Sequence, residues 1–285
     1  MKGKVTMVTG ATAGIGKVTA RELAKSGAEV VLVARDRQKG EATLAEIQAA
    51  APSAKLSLLL GDLSSQAAVR RVAADFLAKH DRLHVLVNNA GAILGERRVT
   101  EDGIEATFAT NHMAYFLLTN LLLDAIKASG PARVVSVASE AHKAGGLDFD
   151  DLMFERRDYA SMGAYGASKL ANIAWAAELA RRLEGTKATS NSLHPGVIAS
   201  NFGQTGPGWM RWGVKLVAPL LTTPEKGAAT TLHLAMSPAV EGETGKYWKD
   251  KKVVSPNRQA SDPEVGKRLW EVSEKLCEKS AVKAA

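Results

Sequence analysis

Residues 5–16 read VTMVTGATAGIG, a short β-branched run that passes through a glycine-rich turn into a helical pattern. The run Val5 to Thr9 predicts a buried strand, and Ile15 to Ser26 has the apolar spacing of an amphipathic helix. Glycines between a strand and a helix permit a tight turn in which backbone N–H groups approach an anion, and the helix N-terminus adds partial positive charge. This stretch therefore predicts a parallel α/β sheet whose first turn binds phosphate groups.

The alternation of strand and helix patterns continues through the first two thirds of the chain. Several strand runs are apolar on both faces, as expected for strands that are covered by helices on both sides. The pattern predicts right-handed crossovers and a doubly wound (Rossmann-type), mostly parallel sheet in one domain over residues 1–285, with a C-terminal helix at about 262–280. The predicted strands are 5–9, 30–34, 56–60, 85–88, 134–138 and 190–194, and the predicted helices are 15–26, 37–50, 66–79, 111–128, 164–183 and 224–236.

Composition narrows the class of protein without naming its function. With 285 residues, 46% of them hydrophobic, the chain can bury a sizeable core. Its single cysteine, Cys277, fits a reducing cytoplasm and excludes a Cys-rich metal site, and none of His112, His142 and His194 has metal-ligand spacing with a second histidine, cysteine or carboxylate pair. The net charge is +7, but the basic pairs are scattered and not interleaved with aromatic residues, so we expect no nucleic-acid partner. No apolar run reaches the roughly 18 residues of a membrane span, so we expect no integral membrane segment.

The glycine spacing of the first turn indicates the kind of phosphate ligand. Three residues separate Gly10 from Gly14, and Gly16-Lys17 is followed by Val18, so the turn lacks the Gly-Lys-Ser/Thr ending of a nucleoside triphosphate loop. A dinucleotide is therefore the expected ligand. The residues of this turn that we expect to contact it are Gly10, Thr12, Gly14, Ile15 and Gly16.

The end of the second strand distinguishes the two common dinucleotides. An acidic side chain there binds a ribose 2′-OH, whereas an arginine accommodates a 2′-phosphate. Ala34 is the predicted last strand residue and Arg35 follows it, which favours NADP. Asp36 leaves NAD as an alternative, because a strand end displaced by one residue would reverse the choice.

Tyr165 and Lys169 form the candidate catalytic pair. A separation of four residues places both side chains on one face of a helix. A free phenol, with a pKa of about 10, is a poor base at neutral pH, but a neighbouring ammonium favours the phenolate. Polar residues also follow successive predicted strands, at the sheet edge where α/β proteins bind ligands. They are Asn88 to Gly91 after the fourth strand, Ser139 after the fifth and Pro195-Gly196 after the sixth, with Asn111 at the start of a long helix.

In order and spacing, these segments resemble the short-chain dehydrogenases/reductases over about residues 4–200. The resemblance implies that Tyr165 is the general acid/base and that Lys169 lowers its pKa and holds the nicotinamide ribose. It implies further that Ser139 hydrogen-bonds the substrate oxygen and that Asn111 fixes a water in a proton relay.

The same resemblance implies further cofactor contacts. Asp62 would hold the adenine, Asn88 and Gly91 the adenosine side, and the backbone of Ile198 the carboxamide. Ser200 replaces the threonine of the family, and Ala13 replaces its usual basic residue, which leaves Arg35 as the main support for NADP. The remaining cofactor-binding positions are Leu63, Ala90, Pro195 and Gly196, together with Tyr165 and Lys169.

A finer resemblance is to the retinol dehydrogenase-like branch, which works with NADP on lipophilic alcohols and aldehydes. It rests on Asn111-His112, residues 116–122, Ala141-His142, residues 149–152, residues 168–172, residues 193–196 and residues 269–271. We expect an apolar substrate loop at about 199–222 and a second rim at 143–160, hinged at Gly145-Gly146.

The expected activity is hydride transfer between the nicotinamide of NADP(H) and a small carbonyl or alcohol, as in a carbonyl reductase. The alternatives are an NAD-dependent alcohol dehydrogenase of the same family, a non-catalytic NADP-sensing module, and a methyltransferase on a similar sheet. A homodimer is possible, because small residues on the helix of Tyr165 permit close helix approach. They are Ala171, Ala174, Ala176, Ala177 and Ala180.

Overall fold

Eight strands form one sheet in the order β3-β2-β1-β4-β5-β6-β7-β8 in the computed structural model, which describes residues 1–196 and 223–283. Strands β1 to β7 run parallel to their neighbours, and β8 pairs antiparallel with β7. The strands are β1 Val5–Thr9, β2 Glu29–Ala34, β3 Leu56–Leu60, β4 Val85–Asn88, β5 Arg133–Val137, β6 Thr189–His194, β7 Tyr247–Lys249 and β8 Lys252–Val253. The order reverses between β1 and β4, as in a doubly wound sheet, which confirms the predicted fold class.

Helices cover both faces of this sheet. They are α1 Gly14–Lys25, α2 Arg37–Ala50, α3 Gln66–Leu77, α4 Ala106–Phe108, α5 Ala114–Leu121, α6 Leu123–Lys127, α7 Ser161–Arg182, α8 Pro224–Met236, α9 Arg258–Ser261 and α10 Pro263–Lys283. One apolar core lies under α3, α5, α7 and α10, and a second lies under α1, α2 and α8. None of the helices in the described ranges is both long enough and apolar enough to cross a bilayer.

The segment 111–128, predicted as one helix, is interrupted twice. A π-helical turn, Ala109–Met113, precedes α5, and Leu122 separates α5 from α6. A π turn is wider than an α turn and frequently occurs at a functional site. Here it contains Asn111, so the break in the helix places a candidate site residue.

The sequence did not indicate β7 and β8, because strands of three and two residues are too short for a periodic pattern. Asp250 and Lys251 join them with φ of 50° and 61°, the left-handed geometry of a two-residue hairpin turn. The hairpin extends the sheet beyond β6 and places Tyr247 and Lys249 beside the carboxyl end of β5.

Helix α10 packs against α7 inside the chain. A Cβ at Gly266 would lie 3.2 Å from the carbonyl oxygen of Ala174, and the Arg182 guanidinium lies 4.1 Å from the centre of a Trp270 ring. Ala171 and Ala174 are fully buried within the chain. Ala174, one of the small residues on α7, is therefore used for contact with α10 of the same chain. A homodimer itself stays a prediction.

Candidate active site

The turn between β1 and α1 needs its glycines for two different reasons. Gly10 and Gly14 have φ of +63° and +53°, a region that L side chains rarely adopt. At Gly16, a Cβ would lie 2.3 Å from the carbonyl oxygen of Gly10, so only glycine fits. The N-cap residue Ala13 gives no side-chain hydrogen bond, so the first-turn N–H groups of α1 have no side-chain cap. This geometry fits the pyrophosphate of a dinucleotide.

Two side chains that the sequence analysis did not select tie β1 to β4 beside this turn. The Thr9 hydroxyl accepts hydrogen bonds from the backbone N–H groups of Asn89 and Ala90, at 2.9 and 3.0 Å. The Asn89 amide in turn donates to the carbonyl oxygens of Thr9 and Gly10, at 2.8 and 3.3 Å. The crevice where the sheet order reverses is therefore held rigidly by the protein itself.

Strand β2 ends at Ala34, as predicted, and the next two side chains have different tasks. The carboxylate of Asp36 accepts a hydrogen bond from the N–H of Lys39 at 2.9 Å and so caps α2. Arg35 is exposed, and its guanidinium has no hydrogen-bond or ion-pair partner in the described ranges. The cationic side chain is thus free to reach a phosphate, whereas the acidic one is engaged.

The residues proposed for the adenosine end occupy different environments. Asp62 is exposed and accepts hydrogen bonds from the N–H and hydroxyl of Ser64, at 3.0 and 2.8 Å, while Leu63 is buried. Asn88 is fully buried, and its amide donates to the hydroxyl of Thr119 on α5 at 3.1 Å. The side chain of Asn88 therefore lies in the protein interior. A contact of this residue with a cofactor would have to be made by its backbone.

Ser139, Tyr165 and Lys169 come together at the carboxyl end of β5. A side-chain hydrogen bond joins Ser139 to Tyr165. The ammonium of Lys169 donates to the carbonyl oxygen of Val137 at 2.9 Å and lies 5.7 Å from the centre of the Tyr165 ring. The i,i+4 spacing on α7 thus produces the predicted juxtaposition.

The pKa values of Tyr165 and Lys169 differ from the expectation that the ammonium favours the phenolate. Burial raises the pKa of Tyr165 to about 12, although its hydrogen bond with Ser139 acts in the opposite direction. Burial also lowers the pKa of Lys169 to about 7. Desolvation of both groups therefore outweighs their mutual effect, and the protein alone does not lower the pKa of the phenol.

Asn111 clamps the segment after β4 onto α7. Its side-chain oxygen accepts from the N–H of Ala92 at 2.7 Å, and its amide donates to the carbonyl oxygen of Ala92 and the hydroxyl of Ser168, both at 2.9 Å. A Cβ at Gly91 would lie 3.1 Å from the oxygen of Asn111 and 3.5 Å from the ammonium of Lys169. Both polar atoms of the Asn111 side chain are thus engaged, next to Gly91 and the ammonium of Lys169.

The family model described as short chain dehydrogenase matches residues 4–209. The chain belongs to this family. Mouse retinol dehydrogenase 12 is 42% identical over 272 residues, which are 95% of this chain and 85% of the relative. Human retinol dehydrogenase 13 is 40% identical over 279 residues, which are 96% of this chain and 84% of the relative.

Solved structures of other family members share the fold. An uncharacterised protein from Mycobacterium paratuberculosis matches with a TM-score of 0.79 and 31% identity, covering 97% of this chain and 94% of that one. The Pseudomonas aeruginosa RhlG/NADP complex matches with a TM-score of 0.69 and 28% identity, covering 87% and 94%. This dehydrogenase is therefore a nicotinamide-dependent oxidoreductase that transfers a hydride to or from carbonyl or alcohol groups, similar to retinol dehydrogenases.

A second aromatic ring of the dehydrogenase faces Lys169, and the sequence analysis missed it. The ring centre of Tyr115 lies 5.6 Å from the ammonium, close to the 5.7 Å of Tyr165, so two phenol rings lie at nearly the same distance from the cation. The Tyr115 hydroxyl is buried and has no hydrogen-bond partner in the described part of the chain. No signal in the sequence indicated this contact, because it joins two helices that are distant in sequence.

The second rim of the dehydrogenase is anchored, and the hinge predicted at Gly145 is wrong. A Cβ at Gly145 would lie 2.1 Å from the carbonyl carbon of Gly166, so this glycine allows backbone to pack against α7. Leu147 exchanges two hydrogen bonds with the Gln259 side chain, both at 2.9 Å. The start of the second rim, 143–160, therefore packs against α7 and is hydrogen-bonded to α9.

Of the residues predicted beyond β6, only the first two are described. Pro195 and Gly196 follow β6 directly, and Gly196 has φ of +89°. Ile198, Ser200 and the whole predicted substrate loop at 199–222 lie outside the described residues.

Proposed function

We propose that this dehydrogenase is NADP(H)-dependent and interconverts lipophilic carbonyl compounds and alcohols, with Tyr165 as the general acid/base. The observation that carries the proposal is the hydrogen-bonded contact of Ser139 with Tyr165, one helical turn from the buried Lys169. These three groups form a compact proton donor and acceptor site at the edge of the sheet where the family binds its cofactor.

The reaction assigns a separate task to each side chain. The bound nicotinamide supplies or accepts the hydride. In carbonyl reduction, the phenol of Tyr165 donates its proton to the substrate oxygen, and in alcohol oxidation the phenolate removes that proton. The Ser139 hydroxyl orients the substrate oxygen, and Lys169 holds positive charge beside the phenol. Asn111 fixes the segment that carries Gly91. A role of Asn111 in a proton relay is a further part of this proposal.

The preference for NADP rests on the end of β2. The exposed Arg35 offers a cation to a 2′-phosphate, whereas the carboxylate of Asp36 already caps α2. Complexes with NADP are known for RhlG and for a dehydrogenase from Burkholderia cenocepacia, which matches with a TM-score of 0.68 and 26% identity over 86% of this chain and 95% of that one. An NAD-dependent alcohol dehydrogenase and a non-catalytic NADP sensor are the alternatives that the experiment below separates.

The proposed substrate class is that of the retinol dehydrogenases which the chain resembles, namely lipophilic alcohols and aldehydes. A cytoplasmic location and a homodimer stay predictions.

The turnover test mixes the purified protein with NADPH or NADH and a panel of aliphatic and aromatic aldehydes and ketones, and follows the loss of absorbance of the reduced nicotinamide. We expect turnover with NADPH above that with NADH.

The variant Tyr165→Phe should abolish turnover and leave NADPH binding measurable. The matched control is Tyr159→Phe, because the Tyr159 hydroxyl contacts Glu105 and Thr107 and lies outside the three-residue site. Turnover retained by Tyr165→Phe would refute the assignment of the acid/base. NADPH binding without turnover of any carbonyl would favour the sensing module.

A further inference from the structure

His142 lies directly behind Ser139, in a short 3₁₀ helix, Glu140–Ala144, that begins where β5 ends. The side chain of His142 is completely buried. Its ring nitrogen Nδ1 lies 2.7 Å from the carbonyl oxygen of Ser139, and its own backbone N–H donates to the same oxygen at 3.1 Å. One buried residue therefore makes two hydrogen bonds to the backbone of the proposed catalytic serine.

The opposite side of the ring is fixed by the segment before α9. The backbone N–H of Asn257 donates to Nε2 of His142 at 3.2 Å, and the Asn257 amide donates to the carbonyl oxygen of His142 at 3.0 Å. Because Nε2 accepts a hydrogen bond, the proton of the neutral ring is on Nδ1, from which it is donated to Ser139. The two contacts thus select one tautomer of an uncharged imidazole.

Ser139 is also restrained by contacts other than those with His142. Its hydroxyl accepts from the N–H of Ala141 at 3.2 Å. A Cβ at Gly166 would lie 2.6 Å from the carbonyl oxygen of Ala141, so the 3₁₀ helix packs closely against α7 next to Tyr165. A shift of the Ser139 backbone would therefore change the distance between its hydroxyl and the phenol.

We propose that His142 is a positioning residue for catalysis, which holds the Ser139 hydroxyl in register with Tyr165 as long as its imidazole is neutral. The inference rests on the proposed function, because it assigns His142 an effect through Ser139 on the same reaction. It also makes Asn257, more than 110 residues away in sequence, part of the support of the site.

The groups that face the imidazole determine its protonation. Burial, the largest effect, lowers its pKa, and the Lys143 ammonium acts in the same direction, whereas the hydrogen bond to Ser139 and the Glu140 carboxylate oppose it. From β7, the Tyr247 ring meets the imidazole edge-on at 5.1 Å, and Lys249 approaches Glu140. From β6, His194 is within electrostatic range. A second proton would be bound to Nε2, where it would face the N–H of Asn257. Acid should therefore break the hydrogen bond between Asn257 and His142, loosen the support of Ser139 and lower turnover.

The test compares His142→Asn with His142→Leu. An asparagine amide matches the position of Nδ1–H and does not titrate near neutral pH, whereas leucine removes the donor. For His142→Leu we expect a loss of roughly tenfold or more in kcat, as for a hydrogen bond that positions a reacting group, with NADPH affinity within about twofold of the wild type. His142→Asn should restore most of kcat and lose the acid limb of the wild-type pH profile.

A double-mutant cycle with Ser139→Ala separates positioning from general support of the fold. In the Ser139→Ala background, His142→Leu should have little further effect on turnover. Equal losses in both backgrounds, or a wild-type kcat in His142→Leu, would overturn the proposal. If His142→Leu does not fold, an unchanged acid limb in His142→Asn would overturn it instead. These outcomes differ from a failure of the proposed function, which Tyr165→Phe reports separately.

Discussion

Arg35 and Asp36 are neighbours at the end of β2, but within residues 1–196 and 223–283 only the Asp36 side chain is hydrogen-bonded to the protein. Its carboxylate caps α2 through the N–H of Lys39 at 2.9 Å, while the Arg35 side chain extends into solvent. In the proposed cofactor assignment, the order of these two residues decides which charge faces the ribose of a dinucleotide. Cofactor preference is therefore testable at one position, with its neighbour as a control.

The substitution Arg35→Ala should weaken NADPH binding by about 10- to 100-fold, as expected for the loss of hydrogen bonds to a charged group. NADH binding should change little, because NADH lacks the 2′-phosphate. Titration calorimetry of both cofactors measures the two effects. The control is Asp36→Asn, which preserves the helix cap and should leave the NADPH/NADH ratio near that of the wild type. Equal weakening of both cofactors by Arg35→Ala would contradict the NADP assignment.

The phenol of Tyr165 should stay protonated at neutral pH in the protein without cofactor, because burial raises its pKa to about 12. A protonated phenol is the form that donates a proton to the oxygen of a carbonyl substrate, and the phenolate is the form that removes the hydroxyl proton of an alcohol. The rate of alcohol oxidation should therefore rise with pH between about 7 and 10, while carbonyl reduction stays nearly flat. Initial rates in both directions measure this, and an oxidation rate independent of pH would argue against a phenolate base.

The substitution Gly16→Ala should abolish tight cofactor binding and destabilise the fold by about 1–3 kcal/mol, as overpacking does. The added methyl group would lie 2.3 Å from the carbonyl oxygen of Gly10 and 2.5 Å from the Asn89 amide. Gly146→Ala is the control, because its nearest neighbour, the side-chain oxygen of Gln259, lies 3.8 Å away. Chemical denaturation and NADPH titration of both variants make the comparison. Wild-type affinity in Gly16→Ala would show that the turn is not tight.

His112 should make the fold sensitive to acid. Burial lowers its pKa to about 3, and its Nε2 lies 3.0 Å from the Ser273 hydroxyl, which itself donates to Leu269. The unfolded chain therefore binds more protons between about pH 3 and 6.5, so the contribution to stability is complete above that range and is lost as the pH falls through it.

In His112→Gln, the amide replaces Nε2–H as a donor and does not titrate. Between pH 6.5 and 4, the unfolding free energy of this variant should fall less steeply than that of the wild type. The difference between the two decreases should be at least about 1.4 kcal/mol, which corresponds to one unit of the shift in the pKa of His112. Urea denaturation at several pH values provides the curves. Parallel curves for the two proteins would exclude His112 as the source of the acid sensitivity.

Much of the fold was accessible from the sequence because long, regular patterns specify it. Strands β1, β3 and β4 and helices α2 and α8 have the predicted bounds. The π turn at Ala109–Met113 was not accessible, since a one-residue change of helical spacing leaves the apolar pattern nearly unchanged. The hairpin of β7 and β8 was missed because so few residues form it.

The candidate site shows the same division. Adjacent strand ends and an i,i+4 pair brought Ser139, Tyr165 and Lys169 together as expected. The sequence could not show that burial dominates the titration of Tyr165, because desolvation depends on the whole surrounding fold. Nor could it show that Tyr115 faces Lys169, since that contact joins two helices that are distant in sequence.

The packing of α10 on α7 has a consequence for the order of events during synthesis. The ribosome completes every strand of the sheet before it makes Gly266, Trp270 and Ser273, which contact α7 and the π turn. The turn between β1 and α1 is made before α7, the helix of Tyr165 and Lys169, which is covered only when α10 has been made. A nascent chain of this dehydrogenase should therefore acquire nucleotide affinity before it acquires full catalytic competence.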